Sequence, residues 1–101
     1  REAELTRRGV PFRRLRMPAA AHSHVLDPIL ESFAGHLRTL TLRPPRIPYV
    51  TNVTGDWATD AQATDVGHWV DHTRRTVRFA DGIAALWERE RPVLVEIGPG
   101  D

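Results

Sequence analysis

The sequence predicts an α/β layer arrangement, and three observations carry it. A long amphipathic stripe runs from Val25 to Leu40. Two further helical patterns lie in "TDVGHWVDHTRR" and "FADGIAALWERE". Short apolar runs, "YVTNV" and "PVLVEI", stand between and after them as strands. Strand, helix, strand, helices, strand is the order from which helices are layered on a sheet.

Taken in chain order, residues 1–8 read as the end of a helix closed by Gly9, and "VPFRRLRM" as a strand with Phe12 and Leu15 among arginines. That strand is the one local cluster of basic charge. It reads as a solvated sheet face or as an anion-binding surface. Pro18 and the alanines after it form a loop. In the stripe that follows, Leu26, Ile29, Leu30, Phe33, Leu37 and Leu40 fall at helical spacing on one face. Asp27 and Pro28 suit its first turn, because proline lacks an amide hydrogen that would be unpaired there and a carboxylate favours the positive end of the helix dipole. "RPPRIP" breaks this helix, and "YVTNV" resumes as a strand ending at a Thr-Gly turn. Gly55 to Thr64 reads as a loop. Thr64 or Asp65 opens the next helix, with Val66, Trp69 and Val70 on one side, and Phe79, Ile83, Leu86 and Trp87 mark the last.

The chain has 101 residues, 41% hydrophobic and 27% charged, in the range of one soluble domain or part of a larger one. Fourteen basic residues against thirteen acidic ones leave a charge of +1, which argues for no nucleic-acid partner. With no cysteine, disulfides, thiolate metal sites and a cysteine nucleophile are excluded, which suits the cytoplasm. No apolar run approaches the roughly 20 residues that span a bilayer, so no membrane partner is expected. Both ends read as interior. "REAELTRRG" has the pattern of a helix already under way, and "VLVEIGPGD" is an apolar strand whose neighbours are not in the sequence.

Candidate chemistry centres on the five histidines, at 22, 24, 36, 68 and 72. His68 and His72 share a helix face, a spacing that zinc can use, but no cysteine or carboxylate completes a familiar ligand set, and no metal is expected. His22 lies in "AAAHSHVLDP", ahead of a helix and among small residues, where an imidazole could serve as a general base or stand as a plain surface residue. Ser23 beside it lacks a nucleophile elbow. The loop "EIGPG" could cradle a phosphate or be a simple turn.

Four motifs in order, "LRMPAAAHSHVLDPIL", "RPPRIPYVTNVTG", "HWVDHTRRTVRFADGI" and "VLVEIGPG", resemble the C-terminal part of the acyltransferase domain of modular type I polyketide synthases, which is similar to malonyl-CoA:acyl-carrier-protein transacylases. The resemblance implies a fold. Residues 1–17 would be the last helix and strand of a ferredoxin-like small subdomain, and residues 18–101 the C-terminal part of a large α/β, hydrolase-like subdomain. It also implies a reaction, in which a serine on a Gly-His-Ser elbow attacks acyl-CoA and a loop histidine acts as its base. His22 matches that histidine, and His24 becomes incidental. Ala19, Ala20, Ala21 and Ser23 match the loop that selects the acyl group. Malonyl-selecting members tend to His-Ala-Phe-His and methylmalonyl-selecting ones to Tyr-Ala-Ser-His. Ala21 is roomier than phenylalanine and the tyrosine is absent, so malonyl is favoured over methylmalonyl, with a weakened barrier to the methyl branch.

The carbonyl that orients the base would come from the main chain in the His72 region, the His72 ring being immaterial. Implied partners are acyl-CoA, the phosphopantetheine arm of an acyl carrier protein, the upstream remainder of the domain and an adjoining ketosynthase, with no tightly bound cofactor. The family's serine, oxyanion glutamine and carboxylate-pairing arginine lie upstream of the matched motifs, so these 101 residues alone are expected to be inactive. Two rival expectations are a docking module built on Leu26 to Leu40 and the arginine strand, and a starter-unit or hydrolytic acyltransferase of the same fold.

Overall fold

A computed structural model describes residues 2–13 and 20–98. Helix α1, Glu2–Arg7, ends as its sequence dictates: Gly9 takes φ +64°, and the amides of Gly9 and Val10 reach back to the carbonyls of Thr6 and Leu5 at 3.1 and 3.0 Å. Such a reversal satisfies carbonyls that a helix end leaves open, and glycine adopts it without strain. No strand follows. Residues 10–13 are exposed and irregular, and the rest of the expected arginine strand lies outside the described residues.

The amphipathic stripe is two elements where one helix was expected. His24–Ile29 is a 3-10 helix, and α2 runs from Leu30–Arg38. Pro28 causes the division, because its ring crowds the carbonyl four residues back and it donates no hydrogen bond, so regular α geometry begins only after it. Leu26, Leu30, Phe33 and Leu37 are half-buried on the shared face, while Ile29 and Leu40 are exposed.

Strands β1, Val50–Thr51, and β2, Asp56–Trp57, pair antiparallel with Val50 opposite Trp57 and Thr51 opposite Asp56. The turn between them closes through the Gly55 amide on the Thr51 carbonyl at 2.9 Å, with Gly55 at φ +69°. The expected loop from Gly55 to Thr64 therefore holds β2 and a short helix α3, Asp60–Thr64. Thr59 and Gln62 cap α3 reciprocally: the Gln62 amide donates to Thr59 Oγ1 at 3.2 Å and the Thr59 amide to Gln62 Oε1 at 2.9 Å. Asp65 then opens α4, Val66–Arg74, by accepting from the Gly67 and His68 amides at 3.0 and 2.9 Å. Two first-turn donors are satisfied by one carboxylate, and Asp65→Ala is expected to lower stability by about 1 kcal/mol, read from the thermal unfolding midpoint.

Helix α5, Phe79–Glu90, lies against the hairpin. Gly82 sits so close to Val50 that a Cβ there would stand 3.0 Å from Val50 Cγ1, and the Arg89 guanidinium lies 4.7 Å from the centre of the Trp57 ring. Pro92 to Ile97 pairs with no other segment among the described residues, so the expected strand is not formed. Its apolar side chains stand in solvent, Val93 and Ile97 at 91% and 94% exposure. A ladder needs a neighbour, and hydrophobicity alone does not supply one. The core is small for the same reason. Ala34 and Ala63 are the buried hydrophobic residues among those described, and the radius of gyration is 16.6 Å, where a compact chain of this length has about 13 Å. The architecture is a mixed one of helices and a two-stranded hairpin, and no described helix is long and apolar enough to cross a membrane.

A candidate active site at the histidine loop

The loop before the 3-10 helix places His22 in an unusual backbone state. Its φ is +56°, in the left-handed region that non-glycine residues seldom occupy. Histidine is among the side chains that tolerate it, and such outliers persist where surrounding contacts hold them. The contact here crosses the chain: His22 Nδ1 stands 3.0 Å from the main-chain carbonyl oxygen of Arg75, just past the end of α4. A carbonyl oxygen only accepts, so Nδ1 carries the proton and donates. Nε2 is then left with its lone pair, the condition for a base. The ring is half-buried.

His36 gives a useful contrast. Its Nδ1 faces the Ser32 carbonyl at 2.9 Å, but this is a bond within one helix turn on an exposed face. A fixed tautomer is thus not peculiar to His22. What distinguishes His22 is the left-handed backbone, the partner 53 residues away and the crowded surroundings.

Those surroundings come from α4 and the hairpin. The His72 ring meets His22 edge to face, with centroids 6.2 Å apart at 73°. Trp69 lies 5.8 Å from both His72 and His68, and its indole nitrogen donates to the Ala63 carbonyl at 3.0 Å. His68 is buried and pairs through Nε2 with Thr51 Oγ1 at 3.0 Å, while His72 Nε2 faces Asn52 Nδ2 at 3.5 Å. His68 and His72 do share a face, as their spacing required, but each is engaged by a separate hairpin residue. Among the described residues no three His, Asp or Glu side chains converge in a metal-binding group.

Burial, then the neighbouring His22 and His68, lowers the pKa of His72 below its ordinary value of 6.5. The folded chain therefore holds that proton more weakly than the unfolded chain. His72 reduces stability as pH falls from 6.5 through the lowered value and has no such effect well above 6.5.

Ser23 is occupied by its own loop. Its hydroxyl donates to the Ala20 carbonyl at 2.6 Å and accepts from the Val25 amide at 3.3 Å, capping the 3-10 helix. Ala20 and Ala21 are exposed, and Ala19 lies outside the described residues, as do the last residues of the "EIGPG" loop. The region expected to orient the base was that of His72; the oxygen facing His22 belongs to Arg75, three residues further on. Asn52 escaped sequence reading altogether. Its carbonyl accepts from the Arg78 amide at 3.0 Å, so the hairpin turn holds the segment that carries the Arg75 oxygen.

An ion pair between Arg74 and Asp27 joins the end of α4 to the 3-10 helix beside the loop. Both partners are partly exposed, and such a pair contributes at most about 1 kcal/mol. A hollow of about 390 Å³ is lined by Val53, Arg74, Arg75, Thr76 and Arg78, at the segment His22 touches. A larger one, about 680 Å³, lies among α2, α3 and α4, and His22 is not in its lining.

Comparison with known proteins agrees across three lines. The model of a family described as "Acyl transferase domain" matches residues 2–100. One of the subunits of the phenolphthiocerol/phthiocerol polyketide synthase of Mycobacterium tuberculosis is 40% identical over 96 residues, which is 95% of this chain and 6% of that protein. Polyketide synthase GfsB of Streptomyces halstedii is 38% identical over 87 residues, 86% of this chain and 2% of its own length. Among solved structures, the acyl transferase domain of ZmaA superposes with a TM-score of 0.80 at 45% identity, covering 99% of this chain and 22% of that one. The acyltransferase domain from the second module of the salinomycin polyketide synthase gives 0.72 at 42% identity, over 86% and 20%. The chain thus spans 6% or less of these curated relatives and about a fifth of the solved domains.

Proposed function

The chain belongs to the acyl transferase domain family, and from that premise we propose that it supplies the general acid–base of a polyketide synthase acyltransferase. The acyl group passes from acyl-CoA to the phosphopantetheine thiol of an acyl carrier protein. The observation that carries this reading is the bond from His22 Nδ1 to the Arg75 carbonyl, which leaves Nε2 as proton acceptor.

Two thioester exchanges make up the reaction. A serine hydroxyl, contributed from outside these 101 residues, attacks the thioester carbon while His22 Nε2 takes its proton. As the tetrahedral intermediate collapses, the carbon–sulfur bond breaks and the imidazolium returns the proton to the departing CoA thiolate. In the second half His22 deprotonates the carrier thiol. Sulfur attacks the serine ester, the carbon–oxygen bond breaks, and the proton goes back to serine oxygen. No resident cofactor takes part. Ser23, spent on its cap, is not the nucleophile. Exposed Ala20 and Ala21 leave room beside the base, and malonyl is favoured over methylmalonyl, with the methyl branch only weakly excluded.

The test is a loading assay on the full-length polypeptide, with carrier protein read by mass spectrometry. Carrier protein should gain a malonyl group from malonyl-CoA faster than a methylmalonyl group from its CoA ester. Release of free acid without loading would instead indicate a hydrolytic enzyme. No turnover of any acyl-CoA would leave only an interaction role.

A further inference from the structure

His22 has a second imidazole against it whose side chain has been given no part. We infer that the His72 ring is a positioning residue for the base: held neutral, it walls His22 and leaves it the single proton carrier of the pair. This inference rests on the transacylase reading above.

The geometry is that of a ring held from three sides. Trp69 packs on His72 at 5.8 Å, His22 meets it at 6.2 Å, and Asn52 Nδ2 lies 3.5 Å from its Nε2. An amide nitrogen donates and does not accept, so the His72 nitrogen facing it is the unprotonated one. Trp69 is itself anchored by its bond to Ala63, so the row from α3 through α4 to the loop is continuous. Burial and the two neighbouring imidazoles act in the same direction, against a charge on His72.

The other charged groups on the elements around it do not offset this. Asp27 of the 3-10 helix is paired with Arg74, Asp71 with Arg75 at 3.0 Å, and Glu31 of α2 with Arg38 at 2.9 Å. Asp65, between α3 and α4, is committed to the α4 cap. His22 and His68 are the groups whose charge bears on His72. When His22 takes the proton from the nucleophile, a neutral His72 ring 6.2 Å away sets no like charge against the new cation. A charged His72 would repel it.

The experiment is carrier loading by the full-length polypeptide over a pH series, with wild type, His72→Gln and His72→Lys. At about pH 8, the neutral Gln variant should load within about 3-fold of wild type. The permanently charged Lys variant should lose about 30-fold or more in kcat, with KM little changed. On the acid side, the rates of wild type and His72→Gln should each fall with one proton, and the limb of His72→Lys should lie at lower pH, because a charge beside His22 opposes its protonation. A merely structural role would not move that limb. Should His72→Lys fail to fold, the wild-type and Gln acid limbs still decide. Equal loading by Lys and Gln variants, or a wild-type limb of two protons that becomes one in His72→Gln, overturns the inference. If His22→Ala is inactive in the same assay, that failure leaves the transacylase reading standing. If His22→Ala loads normally, both fall together.

Discussion

Replacing His22 with alanine in the full-length polypeptide is expected to cut carrier-protein loading by about 10⁴-fold while the protein remains folded. The size follows from the role. In the proposed reaction one nitrogen takes a proton twice and returns it twice, and the ring is aligned by a carbonyl oxygen 53 residues away. The fold should survive because the ring is half-buried and makes a single hydrogen bond, to the Arg75 carbonyl. Alanine is less at ease than histidine at φ +56°, which adds about 1 kcal/mol of strain. His22→Gly removes the ring without that strain and should be equally inactive. Loading by either variant at near wild-type rate would take His22 out of the mechanism.

The largest expected loss of stability comes from Gly55. A Cβ at this position would stand 2.5 Å from Asp81 Cβ and 3.2 Å from Arg78 Cβ, and the residue is buried at φ +69°. Clash and backbone strain act together, and Gly55→Ala should cost about 3 kcal/mol, read from thermal unfolding. Two comparisons separate the causes. Gly55→Asn relieves the backbone term and keeps the clash, so it should remain strongly destabilised. Gly9, at φ +64° with nothing within 4 Å of its Cβ position, should lose only about 1 kcal/mol on mutation to alanine. If Gly55→Ala were no worse than Gly9→Ala, the close packing of the hairpin turn on α5 would be wrong. A displaced turn would also move Asn52 and the Arg78 amide it holds, and with them the Arg75 oxygen. Gly55→Ala should therefore weaken loading as well.

Much of this was legible in the sequence where a local rule decided the outcome. Helix α5 has its apolar spacing, α4 its aspartate cap and α1 its closing glycine, and each forms within a residue or two of expectation. Elements fixed by pairing were not legible. The two residues of β2 have no strand pattern of their own and exist because β1 lies opposite, while Pro92 to Ile97 has the pattern and lacks the partner. Helix α3 hid in a polar stretch, although its Thr59–Gln62 box was there to be found. In the site, His22 was singled out by its setting among small residues and by family likeness. The atom that orients it could not be, since a main-chain oxygen has no residue type. His68 and His72 drew attention as a spacing that suits a metal, and only the fold reveals Thr51 and Asn52 as their separate partners.

Because the oxygen that faces His22 belongs to the backbone at position 75, substitution cannot delete that atom; it can only shift it. On the proposed mechanism residue 75 can vary at the cost of its ion pair with Asp71, whereas the imidazole at 22 cannot be replaced without loss of loading. Sequence variability at 75 beside invariance at 22 would thus be the evolutionary trace of a working site, and a survey that equates importance with constancy would overlook half of the pair.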